Sequence, residues 1–211
     1  LAPISLYKDF LLNRKPIIAA DSGGEYLQKM GITPDYLLGD FDSISEKTLS
    51  GMKKDGVSTR VFPEEKDETD LEITATFALK KGFNRIIILG AWGGRPDQSL
   101  AGIAVLNKIK REKAHGVILN PQNSLELISD FACLEKEKGR RFSLIPWGGK
   151  VSGLRIKGCK FNVKNAVLTP WGTLGISNEI LEEKAEIFLE KGLAVLVRDL
   201  EPYFSLEDVS Q

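Results

Sequence analysis

Short apolar runs and helical patterns take turns from Ile17 to Asn120. Ile17–Ala20 is continuously apolar and reads as a buried strand with Asp21 at its C-terminal end. Gly23–Met30 reads as a short helix stopped by Gly31, and Tyr36–Leu38 as a second strand. Ser45–Lys54 opens on a Ser-x-x-Thr turn and is closed by Gly56, which predicts a helix, and Val57–Phe62 follows as a third strand. Over Thr69–Lys81, Leu71, Ala75 and Leu79 recur at helical spacing beside Ile73 and Phe77, giving a helix with a wide apolar face and Gly82 at its C′ position. Arg85–Leu89 reads as a strand, Asp97–Lys113 as a helix and Val117–Leu119 as another strand. Strands that alternate with helices pair in parallel, because a parallel connection needs a long crossover. This half is therefore expected to be a doubly wound α/β domain, a mostly parallel sheet with helices on both faces.

From about Leu125 the texture changes. Phe142–Ile145, Leu154–Ile156, Phe161–Val163, Ala166–Leu168 and Ala194–Val197 are short, partly alternating runs separated by Gly, Pro, Asn and Lys. Such runs predict an antiparallel sandwich or barrel. The expected division is an α/β domain over 1–122 and a smaller all-β sandwich over 123–211. There is no low-complexity linker and no internal repeat.

Lys plus Arg and Asp plus Glu both number 29 among the 211 residues. With no excess of cations to release counterions, the chain is not expected to bind nucleic acid. No apolar run is long enough to span a membrane, and the opening LAPISLYKDFLL lacks the basic start of a signal peptide. A cytoplasmic protein is expected. Cys133 and Cys159 form no CxxC pair and read as buried thiols, and His115 reads as the end of a helix.

Acidic residues recur just after the expected strands: Asp21, Asp40 and Asp42, then Asp67 and Asp70, then Asp97. The C-terminal ends of parallel strands form one edge of the sheet, where ligands bind. Asp40 and Asp42 are two apart and would point the same way in an extended chain, with Phe41 turned to the core. Asp67 and Asp70 are three apart and would share a helix face. Converging carboxylates repel one another unless a cation joins them, and hard oxygen ligands suit Mg²⁺. A helix cap would account for Asp67 or Asp97, though not for Asp40 and Asp42 together in a glycine-flanked turn. Lys66 and Arg95 stand beside these acids, the pattern that phosphoryl transfer uses, and Gly93 and Gly94 would let backbone amides approach an anion. Neither GxxxxGK[ST] nor GxGxxG is present, so a nucleotide site here is neither a P-loop nor a dinucleotide fold.

The ordered motifs Asp21-Ser22-Gly23, Pro34-Asp35-Tyr36-Leu37-Leu38-Gly39-Asp40-Phe41-Asp42-Ser43, Lys66-Asp67-Glu68-Thr69-Asp70 and Gly94-Arg95-Pro96-Asp97-Gln98 resemble those of the thiamine pyrophosphokinase family. Ser177-Asn178 after a Gly-rich turn is similar to that family's Ser-Asn pair. The resemblance implies ATP-dependent transfer of a pyrophosphoryl group to the thiamine hydroxyl, with Mg²⁺ and a homodimer, and thiamine near the junction of both domains and both subunits. By position it implies that Asp40, Asp42, Asp70 and Asp97 hold metal. Asp21, Lys66, Asp67, Arg95 and Gln98 would contact ATP, and Ser177 and Asn178 thiamine. Asp42, Asp70 and Arg95 would carry the chemistry. Gln98 stands where His is commoner, Pro96 is a departure, and Trp147 and Trp171 read as core residues, with stacking on thiamine the other option. A hydroxymethylpterin as acceptor, or a non-catalytic thiamine or nucleotide sensor, are the alternatives the sequence leaves open.

Overall fold

The computed structural model describes residues 4–12, 14–63 and 65–200. Two compact units divide the chain. The first takes residues up to Ile86 and Trp92–His115; the second takes Ile87–Ala91 and the chain from Gly116 onward. Among the described residues no helix is long and apolar enough to cross a membrane.

The first unit opens with α1 (Ile4–Leu12), which the sequence reading did not anticipate. Tyr7 and Leu11, four apart and so on one helical face, pack on the unit's core. Then β1 (Ile18–Ala20), β2 (Tyr36–Gly39) and β3 (Ser58–Val61) form a parallel sheet in that order, linked by α2 (Gly23–Met30) and α3 (Glu46–Lys54). Leu37 is fully buried in β2, and Leu27, Met30 and Met52 close over the same core. Helices α4 (Asp70–Lys80) and α5 (Pro96–Arg111) follow.

The alternating strands continue with β4 (Arg85–Leu89) and β5 (His115–Asn120), yet these hydrogen-bond into a second sheet. That sheet also holds β6 (Asn123–Ile128), β8 (Arg141–Pro146), β11 (Asn178–Glu179) and β13 (Ala194–Asp199), in the order β11-β8-β13-β6-β5-β4. A four-stranded antiparallel sheet is formed by β7 (Phe131–Glu135), β9 (Val151–Lys157), β10 (Val163–Leu168) and β12 (Lys184–Phe188), in the order β10-β9-β12-β7. Inward residues of both sheets, among them Phe142, Leu144 and Leu196 against Leu154, Ile156 and Ile187, share one apolar core. The expected α/β sheet followed by a sandwich is what the chain builds. The difference lies in the fourth and fifth strands: β5 pairs antiparallel with β6 across the tight Asn120–Asn123 connection.

Several local expectations need correction. His115 begins β5, because α5 ends at Arg111 and Lys113 adopts a left-handed φ of 59° that turns the chain out of the helix. Phe161 lies outside β10 and is 58% exposed. Trp171, at 85% exposed, is no core residue. Cys159 is buried, with its thiol pushed up to about 11 by desolvation, whereas Cys133 is only half-buried.

Candidate functional site

The loops after β1, β2 and β3 carry the acids. Asp21 follows β1 directly; its N–H donates to Leu38 O at 2.7 Å, and its own carbonyl accepts from Gly24 N as the chain turns into α2. Asp21 holds a positive φ of 41°, a conformation that a short polar side chain tolerates better than most. Gly39, at the end of β2, is the residue that makes room for it. A Cβ there would lie 3.1 Å from both Asp21 Cα and Cβ.

After Gly39 the chain turns sharply. Phe41 has a φ of 68°, so this is not the extended stretch the spacing suggested. Asp42 N–H donates back to Asp40 Oδ1 at 3.2 Å, an Asx-type turn. Phe41 still packs on the core. Ligand atoms of Asp21, Asp40 and Asp42 thus all come within 4.8 Å of one another. Asp42 also accepts from the Ser43 hydroxyl at 2.7 Å. Asp21 Oδ1 is buried and accepts no hydrogen bond among the described residues.

Lys66, from the loop after β3, closes the group from the other side. Its ammonium donates to Asp40 Oδ2 at 3.0 Å and forms an ion pair with Asp70 Oδ1 at 2.9 Å. Asp70 Oδ1 is buried, and Lys66 is the cation that meets it. Asp70 and then Asp40 hold the lysine above its ordinary pKa against the opposing effect of burial. The Asp42 amide, and then Lys66, hold the Asp40 carboxyl below the usual range.

None of these acids is a helix cap. Ser22 precedes α2, and the Ser45 and Thr69 hydroxyls cap α3 and α4 by accepting from Thr48 N and Glu72 N, each at 3.2 Å. Asp67 lies before the Thr69 cap and is exposed, so the shared helix face expected for Asp67 and Asp70 does not arise.

Arg95 and Asp97 form a separate, exposed pair at the start of α5. Arg95 Nε lies 3.3 Å from Asp97 Oδ1 and its terminal nitrogen contacts Oδ2; this pairing lowers the Asp97 carboxyl. Arg95 is the N-cap and makes no side-chain cap bond. The Gly93 amide, expected to face an anion, instead donates to Ser99 Oγ at 3.1 Å. Gln98 is exposed beside this pair. In the second unit, Ser177 is exposed with a φ of 59°, and its amide donates to Ser143 Oγ. Asn178 is buried. Its Oδ1 accepts from Phe161 N at 3.0 Å and Glu179 N at 2.9 Å, and its Nδ2 donates to Phe161 O at 2.9 Å.

The structure therefore brings together Asp21, Asp40 and Asp42, with Asp70 attached through Lys66. Asp97 belongs to the Arg95 pair. The convergence of Asp21 with the other two is the one expected from the strand ends, although the resemblance grouped Asp21 with the nucleotide contacts. Its position at the end of the neighbouring strand was the signal. An all-oxygen donor set with one orphaned buried oxygen fits a hard divalent cation.

Residues 7–118 match the thiamin pyrophosphokinase catalytic domain, and residues 131–194 match the thiamin pyrophosphokinase vitamin B1 binding domain. The thiamine pyrophosphokinase of Bacillus subtilis is 32% identical over 183 residues, which cover 86% of each chain. A crystal structure of thiamine pyrophosphokinase from Bacillus subtilis superposes with a TM-score of 0.79 at 32% identity over 87% of each chain. The Candida albicans thiamin pyrophosphokinase shares the fold at a TM-score of 0.81 and 18% identity, covering 95% of this chain and 86% of its own. The chain belongs to the thiamin pyrophosphokinase family.

Proposed function

We propose that the chain is a thiamine pyrophosphokinase, which moves the pyrophosphoryl group of ATP to the hydroxyl of thiamine and yields thiamine diphosphate and AMP. One observation carries the reading: three carboxylates that cap no helix converge within the stretch matching the catalytic domain, ahead of a stretch matching the vitamin B1 binding domain.

Asp21, Asp40 and Asp42 would hold Mg²⁺, which when bound neutralises charge on the phosphates. The chain's own groups do the rest. The thiamine hydroxyl oxygen forms a bond to the β-phosphorus, the bond from that phosphorus to the α–β bridging oxygen breaks, and AMP leaves with that oxygen. Arg95, exposed and paired with its neighbour Asp97, exchanges that carboxylate for a phosphate oxygen and stabilises charge on the transferring group. Asp70 lies outside the three-carboxylate group, and we assign it the hydroxyl proton, since a metal-bound carboxylate such as Asp42 is a poor base. Asp67 and Gln98 are exposed and free to meet the nucleotide. In the 123–211 half, the exposed Ser177 hydroxyl is the thiamine contact, while Asn178 beside it holds the Phe161 backbone. Trp171, Leu174 and Ile176 leave an apolar stretch exposed, which supports a homodimer whose mass light scattering would report.

The test is AMP and thiamine diphosphate production from ATP, Mg²⁺ and thiamine. Both products should appear together and depend on all three additions. No AMP above the enzyme-free level would overturn the reading, and AMP formed only with a hydroxymethylpterin would move it to that acceptor.

A further inference from the structure

Lys66 stands where a bound cation would otherwise be needed. Its side chain is only 12% exposed, and its ammonium lies 3.0 Å from Asp40 and 2.9 Å from Asp70. Both oxygens of Asp40 are already engaged: Oδ1 accepts from the Asp42 amide and Oδ2 from Lys66. A divalent ion that reaches Asp40 must therefore share an oxygen with the ammonium or displace it. Like charges a few ångströms apart in a partly dehydrated site repel strongly, so the two cations do not coexist without cost. One ammonium also leaves most of the charge of these carboxylates unmatched, and Asp21 Oδ1 lies buried with no donor among the described residues.

We infer that Lys66 is an exchangeable internal counter-ion: it neutralises Asp40 and Asp70 while the site holds no metal, gives up Asp40 as a divalent cation binds, and makes that binding depend on an incoming polyphosphate that receives the freed ammonium. This rests on the assignment of Asp21, Asp40 and Asp42 as metal ligands and adds an order to it, in which the cation is held firmly only together with the nucleotide. Lys66 acts through Asp40 and is in this sense a positioning residue. A lysine that served only the fold would stabilise the metal-free protein without altering cation affinity. One that only touched phosphate would change nucleotide affinity and leave the nucleotide-free protein as it was.

Three measurements on the full chain separate these cases. The thermal midpoint is read in EDTA, and Mn²⁺ affinity is read from the EPR signal of free Mn²⁺, without and with a non-hydrolysable ATP analogue. For Lys66→Gln the midpoint in EDTA falls, Mn²⁺ binding without nucleotide tightens by at least about tenfold, and the further tightening caused by the analogue shrinks. Lys66→Arg keeps the charge and follows the wild type within about twofold in all three. A glutamine variant whose Mn²⁺ affinity is unchanged or weaker overturns the proposal, whatever its midpoint. So does an arginine variant that tightens Mn²⁺ as much as glutamine. Absence of Mn²⁺ binding in the wild type and both variants, with or without the analogue, would instead remove the metal assignment on which the proposal stands.

Discussion

Gly39 and Asn178 hold backbone in place by opposite means, one by lacking atoms and the other by supplying them. At Gly39 the neighbour that a methyl group would meet is the Asp21 main chain, which has no rotamer by which to retreat. Gly39→Ala is expected to cost about 1–3 kcal/mol in urea denaturation, the usual range for overpacking, and to weaken Mn²⁺ binding because Asp21 is pushed from its partners. At Asn178 the side chain satisfies three backbone groups at once. Asn178→Ala should destabilise by about 1–3 kcal/mol through the buried groups left unpaired, again read by denaturation. This side chain also explains why Phe161 looks like a strand in the sequence and is not one. The run Phe161–Val163 has the alternation of a strand, yet the Phe161 N–H and C=O are taken by an amide side chain, so no sheet neighbour is needed. Alternation reports which residues face a core; it does not report what receives the backbone hydrogen bonds.

Helices α2 and α3 are joined by side chains at their ends. Ser45 caps α3, and its amide donates to Glu25 of α2 at 2.7 Å, while the Thr48 hydroxyl donates to Gln28 of α2. Ser45→Ala should cost about 1 kcal/mol, the usual worth of such a cap. The Ser45 hydrogen bonds hold the Glu25 carboxyl below the usual carboxylate range. A lowered pKa in the folded state means that the unfolded chain binds the proton first on acidification. The stabilisation is therefore present above the ordinary carboxylate pKa and lost as pH falls through the folded value. Glu25→Gln should be less stable than the wild type at neutral pH, and the gap should close in acid, as urea titrations across pH would show. These two helices were legible because cap and stop residues bracket them: Ser45 and Gly56 for α3, Gly31 for α2. Helix α1 lacks a Ser, Thr or Asp cap and a stopping Gly, and its apolar face is carried by Tyr7, Phe10 and Leu11. Strands β7 and β12 went unread because charged residues flank and interrupt them, as in Lys184-Ala185-Glu186-Ile187-Phe188, where only Ala185 and Ile187 are fully buried.

At the scale of the whole molecule, the acids of the candidate site were legible because three of the parallel strands could be placed from apolar runs, and strand ends dictate where loops converge. Which of them lie within a few ångströms of one another was not legible, because that depends on turns such as the positive φ of Asp21 and Phe41 that no spacing rule encodes. If the group binds cation and nucleotide, then saturating Mg²⁺ with a non-hydrolysable ATP analogue should stabilise the fold by about 2.7 kcal/mol at a hundred times the dissociation constant. For a chain of this size that is a rise of roughly 5–10 °C in the thermal midpoint. Asp42→Asn should abolish the rise while leaving the ligand-free midpoint near that of the wild type. The two compact units are not consecutive: Ile87–Ala91 lies in the second although chain of the first stands on both sides of it. No single cut in the polypeptide frees either unit intact, so grafting this catalytic half onto a foreign acceptor-binding module would require transplanting a five-residue inlay as well as a terminus.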